Sequence, residues 1–295
     1  MLLNKRISIL YFIRLIRYDI VIIVIYAVLM GFLDKYSIFS NLVIPISVSA
    51  IIGTLISLLL AFKTAQSYER WWEARIIWGA IVNDSRSIVR QLKQFLPAGE
   101  QSDKLVKIFA LRQIIWCYSL ADSLRKKTFR KKVNDYLAEH NIESANVPNY
   151  LLNEHAKQIA AIADQFALNA NMQIQLDATL VRLNDAMGKC ERIKNTVFPK
   201  SYSILIHFLI YVFLTIFPFG LDDAFIFTEM LLTILIPVLF VAIEQTAIIL
   251  QDPFENKPTD TPMTTLSQTI EKNLCEITGM PYVAEEENKA AYYVM

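Results

Sequence analysis

Uncharged stretches stand near both ends of this chain, and charges crowd its middle. Tyr36 to Phe62 runs for 27 residues without a charged side chain, longer than the roughly 20 a helix needs to cross a bilayer core. A shorter uncharged run, Ile20 to Leu33, precedes it. Ser201 to Leu221 is a third, and Ala224 to Leu250 a fourth, interrupted by Glu229 near its start and Glu244 near its end. Residues 63–200 read as helix almost throughout. Ile77, Ile81, Ile88 and Leu92 recur at helical spacing until Pro97, Ala98 and Gly99 stop the pattern. The period resumes over 103–127, breaks near 143–150 and predicts two more helices, about 149–170 and 172–195. No strand alternation, internal repeat or glycine-rich phosphate loop interrupts this. The pattern predicts an all-α membrane protein of four segments: residues 1–62 with two spans, a helical region 63–200, two spans in 201–250, and a tail 251–295.

Charge then orients the spans. Arg14 and Arg17 precede the first, Lys63, Arg70 and Arg75 follow the second, and Lys194 and Lys200 precede the third. The two short opposite loops hold Asp34 with Lys35, and Asp222 with Asp223. Basic residues stay on the cytosolic side, so both termini and the middle are expected there, in a multi-pass protein of the inner (plasma) membrane. No small-residue cleavage site follows the first apolar run, which is expected to be a retained helix rather than a signal peptide.

Composition supports the mixed reading. With 54% hydrophobic and 19% charged residues the chain is too apolar for an ordinary soluble domain and too charged to be all membrane. Its net charge of +1 argues against nucleic acid as a partner. Cys117, Cys190 and Cys275 have no metal spacing and are expected as reduced, buried thiols. The basic cluster at 125–132 reads as a solvated helix face, and His207 as a packed residue without a ligand role.

Directly after the long uncharged run, Arg70, Trp71 and Trp72 stand among further charges, and Asp252, Pro253 and Phe254 follow the last span. Glu244 and Gln245 lead up to that second element. The order of these features along nearly the whole chain resembles the bestrophin family of ion channels, in which an Arg-Trp-Trp element follows the second span and an Asn-Pro-Phe element the fourth. The resemblance implies a homopentamer around a central pore lined by the second helix. It places a hydrophobic neck at Thr54, Leu58 and Phe62, and a second, cytosolic constriction at Ile174. The four-residue spacing of the first three independently puts them along one helix face. Threonine stands at the outermost neck position, where the family often carries an aliphatic residue. Trp71 and Trp72 are expected to anchor the pore helix at headgroup level.

Animal bestrophins bind calcium through a run of acids after their Asn-Pro-Phe element. Here Asp252, Glu255 and Asp260 are spaced out by Lys257 and two prolines. No calcium requirement and no other cofactor is expected; a clasp on the neighbouring subunit suits the loop better. The partners implied are permeant ions, membrane lipid and further copies of the chain. The resemblance leaves ion sign open, since animal members pass chloride and bacterial ones are reported to favour monovalent cations. Asp34, Asp222 and Asp223 at the outer mouth tip the expectation towards cations, with chloride conduction not excluded. A membrane-anchored enzyme or a non-conducting scaffold with a helical head is the alternative, and the enzyme lacks any nucleophile-and-base pair, metal-spaced set or phosphate loop.

Overall fold

The computed structural model describes residues 13–36, 44–221 and 226–282, and all regular structure among them is helical. In chain order the helices are α1 (Arg17–Tyr36), α2 (Ile46–Phe95), α3 (Glu100–Leu124), α4 (Lys131–Glu139), α5 (Val147–Gln165), α6 (Ala170–Asn195), α7 (Lys200–Ile216), α8 (Ile226–Gln251) and α9 (Met263–Thr278). Among the described residues, those from 13 to 70 with those of 197–251 form one compact unit; those of 71–196 with 252–282 form the other. α2 continues without a break through 50 residues, about 75 Å at 1.5 Å per residue, and runs across the expected boundary at 62.

In the first unit, α1 packs on α7 and α8, and α7 on α8. Ile23, Ala27, Ile56, Leu60, Ile206, Ile210, Phe213 and Val241 form its core. The Phe213 ring of α7 packs over Gly53, where a Cβ would stand in ordinary contact at 3.5 Å from Cε2. Tyr26 and Thr215 tie α1 to α7 at 2.9 Å. A 3₁₀ turn, Pro218–Gly220, follows α7. A Cβ on Gly220 would sit 3.0 Å from the Ile44 carbonyl oxygen, so the approach of these two strands of chain requires glycine.

Three stretches among the described residues are long and apolar enough to cross a membrane, in Ile46–Phe95, Ala170–Ile216 and Phe227–Gln251. α1 falls short of the expected fourth. Arg17 and Asp19 at its start and Asp34 and Lys35 at its end leave only residues 20–33 uncharged, about 21 Å of helix against a hydrocarbon core of about 30 Å. Asp34, expected in a loop, stands in the last turn of α1 and is only 7% exposed. Asp222, Asp223 and the tail beyond Tyr282 lie outside the described residues.

The second unit packs α3 against α5, α6, α4 and α9 around a core that includes Trp78, Phe109, Trp116, Leu151 and Leu183. The break at 97–99 lies where the sequence predicts, with α3 starting at Glu100. The side chains of Asn146 and Asn169 cap α5 and α6, accepting from Asn149 N at 3.1 Å and Met172 N at 2.9 Å, each worth about 1 kcal/mol. Cys117, Cys190 and Cys275 are free and buried. The 125–132 cluster is not one solvated helix face. It crosses the break between α3 and α4, and three of its charges, Arg125, Arg130 and Lys132, are put to use while Lys126, Lys127 and Lys131 are exposed. Arg130 holds Asp122 through two nitrogens at 3.0 and 2.8 Å, Arg125 donates to Thr264 at 2.8 Å, and Lys132 pairs with Glu271, which also accepts from the buried Tyr118 at 2.7 Å. These contacts fasten α9 along α3.

Candidate functional site

α2 presents its neck residues outward. Leu58 is 53% and Phe62 56% exposed, and Thr54 is exposed beside them. An apolar face that finds no partner within its own chain is the feature a pore or a subunit contact needs. The Thr54 hydroxyl donates to Ala50 O at 2.8 Å. Its proton is thereby committed to the helix, which softens the contrast with an aliphatic residue at that position. Ile174, on α6, is 64% exposed, again without cover from its own chain.

The face of α2 opposite to this solvent-facing stripe is held by charge. Lys63, immediately after Phe62, is fully buried; its Nζ donates to Glu244 Oε1 at 2.7 Å and to Ser203 Oγ at 2.6 Å. Glu244 is equally buried, and its other oxygen lies 2.7 Å from His207 Nε2. Three helices, α2, α7 and α8, thus converge on one buried carboxylate. His207, expected as a packed residue, stands within ion-pair distance of this carboxylate and carries a charge there when protonated. The sequence showed Glu244 with basic partners within reach, yet nothing in it singled out Lys63, because helix pairing brings together residues 181 positions apart. Glu229, the other acid of the fourth uncharged run, is buried in the first turn of α8.

In the second unit the two motifs meet. The Trp71 indole N–H donates to Thr259 O at 2.8 Å, and Thr261 N donates to Pro253 O at 3.0 Å, folding the segment after α8 into a closed loop. Phe254 is fully buried in the core. Asp252 receives Phe254 N at 3.1 Å through one oxygen and Lys194 Nζ at 2.5 Å through the other. Within its own chain, the segment expected to clasp a neighbouring subunit closes into a loop. The cause is local: an Asp side chain folds back on the backbone two residues on, and Pro253 limits the alternatives. Arg75 lies over the Trp71 ring at 5.4 Å. Trp72 is 48% exposed.

The acids of that loop are all engaged. Asp252 holds Lys194, Glu255 pairs with Lys257, and Asp260 accepts from Lys257 N at 2.9 Å. Burial pushes the Asp260 carboxyl up to about 6. Among the described residues no three His, Cys, Asp or Glu side chains converge as a metal ion would require.

Comparison with known proteins places this architecture. The family model described as bacterial/fungal bestrophin protein matches residues 8–276. A voltage-dependent anion channel-forming protein of Ralstonia nicotianae is 28% identical over 251 residues, 82% of this chain and 80% of that protein. YneE of Escherichia coli, given the same description, is 28% identical over 232 residues, 77% of this chain and 75% of its own. The crystal structure of a bacterial bestrophin homologue from Klebsiella pneumoniae superposes with a TM-score of 0.81 at 24% identity, covering 90% of this chain and all of that one. A variant of that homologue carrying one mutation superposes at 0.79 with 26% identity, over 88% of this chain and 99% of its own. These relatives are described as channel-forming proteins and not as enzymes. With the family model spanning nearly the whole chain, and Trp71 fastened to the loop that follows Asp252-Pro253-Phe254, the chain belongs to the bacterial and fungal bestrophin family.

Proposed function

We propose that the chain is the subunit of a homopentameric ion channel of the plasma membrane, with four spans and both termini cytosolic. Small monovalent ions pass a neck of Thr54, Leu58 and Phe62 and a second constriction at Ile174. The observation that carries this reading is the outward apolar stripe of α2: Leu58 and Phe62 are more than half exposed although they stand within the longest uncharged run of the chain. Five copies of that stripe facing one axis form a ring narrow and apolar enough to shed water, a recognised gate. The names of the relatives support conduction.

Ion sign is drawn both ways. The relatives are named for anions, whereas the carboxylates of Asp222 and Asp223 give the expected outer mouth a negative field. Burial of Asp34 takes that residue out of the exposed charge there. The channel leans towards cations. Calcium is not needed, a reading supported by the pairing of Asp252 and Glu255 with lysines of their own chain. The test is reconstitution of the purified protein into planar bilayers under unequal salt, with native mass spectrometry on the same sample. Pentamers that conduct support the proposal; a monomer, or pentamers that never conduct, reject it.

A further inference from the structure

Between Ile46 and Arg70, α2 carries only three charged residues: Lys63, Glu69 and Arg70. At about 100° per residue, Lys63 is turned about 100° from Phe62 and Arg70 about 80°. Glu69, seven residues on, comes back to within about 20° of Phe62 and stands about 10 Å further along the axis. The placement in the structure agrees with this geometry. Lys63 is fully buried and neutralised by Glu244, whereas Glu69 is exposed like Leu58 and Phe62. Among the described residues no cation lies within ion-pair distance of Glu69, while Glu73, four residues later, is answered by Arg192 at 3.0 Å. Arg70 is a direct sequence neighbour, and residues adjacent in a helix do not face each other.

We propose that Glu69 determines the charge selectivity of the channel. Its carboxylate follows the inner end of the neck, on the same face of the pore helix. The inference rests on the pentameric pore reading given above. Five carboxylates around one axis, about 10 Å from the Phe62 ring and so close to one Debye length of about 8 Å, raise the local concentration of small monovalent cations and lower that of anions. Between Ile46 and Arg70 the basic residues do not oppose this, because Lys63 points away from the neck face and is already paired, and Arg70 is turned about 80° from Phe62. What matters is which charges share a face with the neck, not the charge of the region as a whole.

The experiment is the reversal potential of reconstituted pentamers in unequal potassium chloride, at low and high ionic strength. The parent is expected to favour potassium. Glu69→Gln should lower the potassium-to-chloride permeability ratio by roughly tenfold at low salt and by less at high salt. Glu69→Lys should turn the channel towards chloride, and Glu69→Asp should keep the parent's preference. Glu143→Gln, in the loop between α4 and α5, should change nothing. Only variants that assemble as the parent does are compared; should Glu69→Gln not assemble, the Asp and Lys pair carries the same contrast. A ratio unmoved by Glu69→Gln or Glu69→Lys, or a parent that reverses at the chloride potential, overturns the role of Glu69 and leaves the channel reading standing. Pentamers that do not conduct overturn the channel reading itself and this inference with it.

Discussion

Lys63 and Glu244 meet at 2.7 Å with both side chains fully buried, one on α2 and the other near the end of α8. The bond adjoins Phe62, so the residue proposed to face the neck and the residue that fixes the helix behind it are neighbours in sequence. A buried ion pair contributes little net stability over a well-packed apolar pair, but removing one partner strands the other charge. Its value here is orientation. With Lys63 committed inward, α2 cannot rotate about its axis without breaking the pair.

Glu244→Gln should therefore be severely destabilising, by about 3–5 kcal/mol, because Lys63 is left buried without its counter-charge. Replacing both partners with methionine should recover much of the loss. Yield and thermal stability of the detergent-purified protein check this, and a double variant as poor as the single one would mean that packing, rather than charge, sets the cost.

Leu58→Ala and Phe62→Ala should each widen the proposed neck and raise single-channel conductance or open probability, since both remove apolar surface from a ring proposed to gate by excluding water. Ile174→Ala should raise conductance or shift selectivity if α6 supplies the second constriction. Planar-bilayer recordings separate the cases: a response from neck variants alone would move the second constriction elsewhere.

Trp71→Phe keeps a ring beneath Arg75 but loses the N–H donated to Thr259 O. A loss of about 1 kcal/mol is expected, the net worth of one such bond. It should appear as earlier proteolytic cutting within 252–261, with ion selectivity unchanged. Altered selectivity with an intact loop would place Trp71 on the ion path.

His155 is fully buried, stacked on Phe109 with ring centroids 3.9 Å apart. Burial first, and the nearby Arg112 second, hold its pKa well below the usual 6.5. The unfolded chain takes up a proton near pH 6.5 and the folded chain does not. Stability from the neutral ring is thus fully present above about pH 6.5 and is lost as pH falls below it, at up to about 1.4 kcal/mol per pH unit. Thermal unfolding followed from about pH 7 to about pH 5 should show this slope. His155→Phe, which keeps the stack and binds no proton, should flatten it.

Much of this was written along the chain. Helix starts and stops depend on local chemistry, so the break at Pro97-Ala98-Gly99, the turn before Val147 and the uncharged runs were legible from spacing alone, and the helical face joining Thr54, Leu58 and Phe62 follows from a four-residue period. Pairings between distant helices carry no local signal. That Lys63 turns inward to Glu244, that His207 shares the carboxylate, that Asp34 is buried, and that Trp71 holds the 252–261 loop were all decided by packing. A sequence displays how many charges a helix bears and how they are spaced. Only the fold determines which of them are cancelled by a partner, and hence that Lys63 is silent on α2 while Glu69 stays exposed.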